Sequence, residues 1–426
     1  MGIPFYYASL TKSHSGIIRP VKDKLQTDIV CFDFNSLIHQ YLVDTDPLHS
    51  VLSALEKILN TICQGKIVYI ALDGLVPYAK IVQQRYRRMA IKDEGVFDRN
   101  QISPGTPYMR ELEQGIRSKF PDIIVSGTDE PGEGEHKMIQ YLKSVDPLMR
   151  KNIVVYGMDA DLILIFLHNH RLASEIRLLR ENGEEFNTLN IQNLLTQLPL
   201  PIDQYIPLSI LCFGNDFMPN IGIFSLREGG YERALEYYSA CGSPDLNTED
   251  GRAIFIDYST DREMTVLKEK ITRRKRPEEK SLFGSSPANF IKRYRLIILE
   301  GVENIEPVVD AFWKTFHWTL EYFTTSKPVD WDWYYPYADA PLLSDLVEFQ
   351  ESEKLSSSPL TFSVTKQLQL ILPKKSLRTA KKLVKFLDER YTETRNPWMK
   401  KFDWEMKPMI SLPWNPKNFQ ISVVPI

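Results

Sequence analysis

The chain has 426 residues, 43% of them apolar, enough for one large or two medium domains with a buried core. Its 52 basic and 55 acidic residues leave a formal net charge of −3, so no overall excess of charge marks a polyanion partner and any nucleic-acid footprint must be local. Cys31, Cys63, Cys212 and Cys241 are scattered without a CxxC pair, which speaks against a disulfide framework and a zinc site.

The N-terminus MGIPFYYASLTKSHSGIIRP lacks the apolar segment of a signal peptide. It has the Gly2 of a myristoylation signal but Tyr6 where Ser or Thr is needed. No stretch reaches the ~20 apolar residues of a membrane helix. An intracellular protein is expected, cytoplasmic rather than nuclear. The run RRKR at 273–276 reads as a solvated loop on the simpler view and as a nuclear address on the other.

In chain order, Ile29 to Phe32 is an apolar, β-branched run that ends in Asp33 and is followed by a helix opened by Asn35. Lys66 to Leu72 repeats the arrangement, ending in Asp73 before a long helical segment through Arg88. Ile123 to Val125 leads into Glu133 and Glu135, Ile153 to Tyr156 into Asp159 and Asp161, and Leu208 to Phe213 into Gly214, Asn215 and Asp216. Apolar runs of strand length alternating with helices predict an α/β fold with a mostly parallel sheet covered on both faces, in which ligands bind beyond the carboxyl ends of the strands. An Asp after a strand is often only a helix cap. Seven acids in one register are hard to read as seven separate caps. Gathered together, these carboxylates need a cation, and an oxygen-only ligand set suits Mg2+ or Mn2+ rather than zinc.

Within VPYAKIVQQRYRRM, Val76 to Met89, the residues Lys80, Gln84, Arg87 and Arg88 fall on one face of a helix and offer charge and fixed donors to a phosphate. The ordinary alternative is a solvated basic face.

After Asp216 the signal thins. The polar segments between Ser239 and Ser286 read as loops, with a linker at 261–286 separating a first region, 1–260, from a second, 287–426. Ala288 to Thr324 is helical and amphipathic. The aromatic stretch Lys327 to Leu346, with Trp331, Trp333, Tyr334, Tyr335 and Tyr337, reads first as core and second as a platform for a nucleobase. KKSLRTAKKLVK, Lys374 to Lys385, reads equally as a charged helix face and as a contact for a nucleic-acid backbone.

Several of these segments together resemble the Xrn-type 5′→3′ exoribonucleases: MGIP, FDFNSLIH (Phe32 to His39), LDGLVPYAKIVQQRYRR (Leu72 to Arg88), FDRNQISPGTPYM (Phe97 to Met109), PGEGEHK (Pro131 to Lys137), YGMDADL (Tyr156 to Leu162), GNDFMPN (Gly214 to Asn220) and WDWYYPYADAP (Trp331 to Pro341). They occur in the family's order from Met1 to about Trp404. GEGE and DxD elements also occur in flap endonucleases; the KxxxQxxRR helix with the WxWYYPY segment is more discriminating.

The resemblance implies a PIN or flap-nuclease-like core with a mainly helical second region packed against it and closing the site. It implies that Asp33, Asp73, Glu133, Glu135, Asp159, Asp161 and Asp216 hold metal, two magnesium or manganese ions, for hydrolysis of a phosphodiester. Lys80, Gln84, Arg87 and Arg88 match the pocket for a 5′-monophosphate. His39 matches a base-stacking histidine, opposed by Trp333 or Trp331. The expected activity is processive release of mononucleotides from 5′-monophosphorylated single-stranded RNA by a monomer, without a membrane or an obligatory protein partner. Rival expectations are a flap endonuclease acting on DNA and an inert RNA-binding relative. The chain departs from large family members in its short linker, in FYYASLTKSHSG after the initiator, and in Ala338 and Asp339 where HY is usual.

Overall fold

The computed structural model describes residues 2–90, 96–272, 287–295, 299, 302–337, 339–349, 351 and 357–372. Seven strands form one sheet: β1 (Ile18–Pro20), β2 (Leu25–Asp33), β3 (Cys63–Ala71), β4 (Ile124–Ser126), β5 (Asn152–Tyr156), β6 (Glu175–Asn182) and β7 (Glu185–Asn190), in the order β1-β7-β6-β5-β2-β3-β4. The pairings β6–β5, β5–β2, β2–β3 and β3–β4 are parallel, and β7 alone runs against its two neighbours. The expected mostly parallel sheet is present.

Its central strands are buried on both sides over their C-terminal halves, where residues 29–32, 67–71 and 153–156 are apolar at consecutive positions. Ile29, Cys31, Tyr69, Ala71, Ile153 and Val155 point into one core, and Val30, Phe32, Ile70, Leu72, Val154 and Tyr156 into the other. This is the period of two that a pleated strand imposes. The first core is continued by Phe312, Trp318 and Tyr335, so the second region shares the apolar interior of the sheet's larger face.

The helices that position the site are α1 (Tyr6–Ser13), α2 (Phe34–Tyr41), α3 (Tyr78–Ala90), α4 (Gly134–Ser144), α5 (Asp161–His168), α6 (Ile202–Phe213), α7 (Glu249–Thr272) and, in the second region, α8 (Glu306–Thr325), α9 (Leu343–Glu348) and α10 (Val364–Ile371). Helix α8 supplies most of the helical content expected from 288 to 324.

Two expectations are corrected. Leu208 to Phe213 is the last part of helix α6 and not a strand. Every residue from Tyr205 to Phe213 is buried, so the run shows no polar face, and periodicity cannot separate a helix buried all round from an inner strand. Helix α7 occupies the first half of the expected linker, through Thr272, while 273–286, including RRKR, lies outside the described residues. The basic run 374–385 also lies outside them. The hairpin β6–β7 was not anticipated, although Asn182-Gly183 at its turn is a hairpin signal between strand-like runs.

Among the described residues no helix is long and apolar enough to cross a membrane.

Candidate metal centre and phosphate helix

Parallel register gathers the acids. Asp33 ends β2 opposite Ala71 of β3, two residues before Asp73; Phe32 lies opposite Tyr156 of β5, three residues before Asp159. Asp33 and Glu133 occupy the positions preceding α2 and α4, yet neither carboxylate caps its helix. The cap reading therefore fails for both. Asp161 opens α5, so three acids sit at helix N-termini, where the peptide dipoles favour negative charge.

Four of the carboxylates, those of Asp33, Asp73, Glu133 and Asp216, have fixed side-chain partners. Ser36 Oγ donates to Asp33 at 2.5 Å. Asp73 accepts from Asn35 Nδ2 at 2.7 Å and from the Gly134 amide at 2.9 Å. Glu133 accepts from the Tyr322 hydroxyl at 2.7 Å and pairs with Lys80 Nζ at 2.5 Å, and the same ammonium stands 2.9 Å from Asp216. Asp216 arrives from the end of α6 through Gly214, whose φ of 69° and close approach to the Asn220 amide no side chain would tolerate. Asp159 is held through its backbone: Arg180 of β6 donates to its carbonyl at 3.0 Å and to that of Met158, with the Tyr7 ring 4.5 Å beneath the guanidinium.

The electrostatics are those of an acid cluster short of positive charge. Burial, then Asp159 and Asp73, push Asp33 well above the carboxylate range; burial and Glu133 do the same to Glu135. Burial and Asp159 raise Asp161 to about 7. Burial raises Glu133 too, with Lys80 opposing. Since each of these groups responds to the charge of the others, they face one space.

The donor set fits a hard divalent cation. Glu133, Glu135 and His136 place ligand atoms within 4.8 Å of one another, and His136 Nδ1 is buried with no hydrogen-bond partner. Burial holds His136 down to about 3, so it is a neutral imidazole with a lone pair to offer. His136 was not among the residues expected at the metal centre. Its place beside Glu135 was the available signal.

Helix α3 carries the residues from which a phosphate face was expected. Lys80, Gln84 and Arg88 are buried, Gln84 Oε1 lacks a hydrogen-bond partner, and Arg88 donates to the Ile102 carbonyl. The Arg87 side chain lies outside the described residues. Lys80 does not stand in a separate pocket; it joins the basic helix to Glu133 and Asp216. Lys137, lowered to about 8 by burial, ties the Leu72 and Gly127 carbonyls together behind Asp73. Gly74 passes so close to the Glu130 carbonyl that a Cβ there would sit 1.7 Å from it.

His39 is exposed in the last turn of α2. Of the two tryptophans, Trp331 is joined to the phosphate helix, its carbonyl accepting from the Tyr78 amide at 2.8 Å. Trp333 instead donates its indole N–H to Thr315 of α8 at 3.1 Å and packs against the core. Tyr335 is buried, so the core reading of the aromatic stretch holds at that position. Ala338 lies outside the described residues.

A mostly parallel sheet thus collects carboxylates at its strand ends, beside a helix of buried basic and amide side chains. Residues 1–95 and 90–182 match the family described as XRN 5′-3′ exonuclease N-terminus, and 290–402 match the Xrn1 helical domain. The chain belongs to this Xrn family. It is 26% identical over 314 residues to 5′-3′ exoribonuclease 1 of Saccharomyces cerevisiae, an alignment covering 56% of this chain and 20% of the relative. It is 24% identical over 358 residues to 5′-3′ exoribonuclease 2 of Candida glabrata, covering 56% and 35%. The chain thus matches about a fifth to a third of these curated relatives' length. The catalytic core of Rad2 in complex with a DNA substrate aligns with 87% of this chain and 98% of its own, at 14% identity and a TM-score of 0.39.

Proposed function

We propose that this protein is a metal-dependent 5′→3′ exoribonuclease that hydrolyses 5′-monophosphorylated single-stranded RNA to mononucleotides, processively and as a monomer. The observation that carries the reading is Lys80, which links the phosphate-binding face of α3 directly to Glu133 and Asp216. A terminal phosphate held by Lys80, Gln84, Arg87 and Arg88 puts the first internucleotide linkage next to the acids, so cleavage counts from the end. Two magnesium or manganese ions held by Asp33, Asp73, Glu133, Glu135, Asp159, Asp161 and Asp216 would supply Lewis-acid activation of water and neutralise charge on the transferring phosphoryl group. The chain's own part is to fix the acids by hydrogen bonds, to shield them from bulk water, and to hold the 5′ end. His39 and Trp331, or Trp333, stack on splayed bases without reading sequence. The division into 1–260 and 287–426 describes a nuclease region and a second region that completes its walls.

The reading is tested by comparing RNAs with 5′-hydroxyl, 5′-monophosphate and 5′-triphosphate ends, with magnesium and with chelator. Mononucleotide release from the monophosphate alone, lost in chelator and in the Asp159→Ala, Asp161→Ala double variant, is the expected result. Equal rates on all three ends would remove the phosphate pocket, and release of an oligonucleotide from a DNA flap would favour the endonuclease alternative.

A further inference from the structure

Helix α8 belongs to the second region, yet Tyr322 in its last turns reaches the acids of the first. Its hydroxyl donates to Glu133 Oε1 at 2.7 Å, across 189 residues of sequence. The other Glu133 oxygen lies 2.5 Å from Lys80 Nζ in an ion pair but accepts no hydrogen bond, so the Tyr322 hydroxyl is the directional contact of this carboxylate. The phenol ring is equally constrained. The His136 ring lies 3.8 Å away on one side, and Phe217, 5.8 Å away, and Trp318, 5.0 Å away, pack against it. His136 follows Glu135 and Phe217 follows Asp216. One side chain from α8 therefore touches Glu133 and the immediate neighbours of Glu135 and Asp216, and it is fully buried while doing so.

A buried phenol hydroxyl needs an acceptor, and a buried carboxylate held by one hydrogen bond and one ion pair has a restricted orientation for its remaining lone pairs. Groups placed like this around a metal ligand set its direction and basicity, and losing one typically weakens metal binding about 10- to 100-fold. We propose that Tyr322 is a positioning residue of the metal centre, through which the second region sets the affinity of the first for its cation. The inference rests on the reading of the acids as a metal site. It assigns α8 a task beyond forming a wall: it aims Glu133.

Tyr322→Phe is the test, because it keeps the ring and its packing and removes only the hydroxyl. Mn2+ binding is measured by calorimetry on the full chain after chelator treatment, together with the Mn2+ concentration for half-maximal RNA hydrolysis, kcat at saturating metal, and the thermal midpoint in chelator. The expected result is Mn2+ affinity about tenfold weaker and a matching rise in half-saturating metal, with kcat at saturation little changed and the midpoint in chelator lowered, since the Glu133 carboxylate loses its one hydrogen bond. In a Glu133→Gln background the same change should alter Mn2+ affinity no further. Unchanged affinity in Tyr322→Phe overturns the proposal, as does a loss of kcat that saturating metal fails to recover. A wild-type chain that binds no Mn2+ would instead overturn the metal-site reading on which the proposal stands, so the two failures are distinguishable.

Discussion

The Lys80 ammonium stands 2.5 Å from the Glu133 carboxylate, with both side chains withdrawn from water. It bridges Glu133 to Asp216 at the start of α3. Removing one member of a buried pair leaves the other charged and unsolvated, which usually costs about 3–5 kcal/mol. Lys80→Met should therefore unfold at lower urea in chelator than the wild type. Added Mn2+ should restore more stability to the variant than to the wild type. Equal urea midpoints for the two proteins in chelator would contradict this.

Proton release should accompany metal binding. Asp161 is raised to about 7, and Asp33 and Glu135 are raised well above the usual range, by burial first and neighbouring carboxylates second. A folded acid with a raised pKa keeps its proton where the unfolded chain has lost it. Stability of the metal-free protein should then fall as pH rises from about 4 to 7. A bound cation needs these carboxylates ionised, so Mn2+ should displace protons, and the share contributed by Asp161 should be larger at pH 6 than at pH 8. Calorimetry in buffers of different ionisation enthalpy measures the count, and an identical value at the two pH values would refute it.

Arg180 should resist conservative replacement. Its planar guanidinium spans the Met158 and Asp159 carbonyls while stacking on Tyr7. A lysine is a point charge that can neither span both nor stack as flatly. Arg180→Lys should lower kcat by about tenfold or more, since the loop carrying Asp159 loses its anchor. Steady-state hydrolysis with a melting control is the measurement, and wild-type kcat in a folded variant would sink the claim.

Glu263 of α7 offers a pH effect remote from the metal centre. It accepts from the Leu343 amide at 2.8 Å and the Ser344 amide at 3.3 Å at the start of α9, and burial raises it to about 7. Between its ordinary pKa of 4.5 and 7 the folded chain holds a proton that the unfolded chain releases, so stability drops with rising pH by about 3 kcal/mol in all. Glu263→Gln should remove that slope and exceed the wild type in stability at pH 8. Urea unfolding at pH 5 and pH 8 checks it; parallel slopes in the two proteins would rule it out.

The strands were legible because β2, β3 and β5 carry short apolar, β-branched runs at consecutive positions, as a sheet covered on both faces requires. The convergence of Asp33, Asp73 and Asp159 followed from assuming parallel register, which the pairing of Asp33 with Ala71 and of Phe32 with Tyr156 realises. Asp216 was placed correctly beside the others for a wrong local reason: it leaves a helix, and Leu208 to Phe213 looked like a strand because burial on every side erases helical periodicity. Lys80 was found on the phosphate face, but its pairing with Glu133 depends on the angle between α3 and α4, which no local pattern encodes. Tyr322 was invisible for the same reason. A tyrosine in an amphipathic helix carries no mark of which distant carboxylate it will meet.

Gln367 of α10 accepts from the Val76 amide at 2.9 Å and donates to the Gly74 carbonyl at 3.0 Å, and Trp331 takes the Tyr78 amide nearby. The backbone leading into the phosphate helix is thus finished by a residue 293 positions later. On the ribosome, the sheet and its acids emerge long before that closure is possible. A nascent chain short of Gln367 already holds the acid-bearing strand ends, while the turn into α3 still lacks its closing hydrogen bonds.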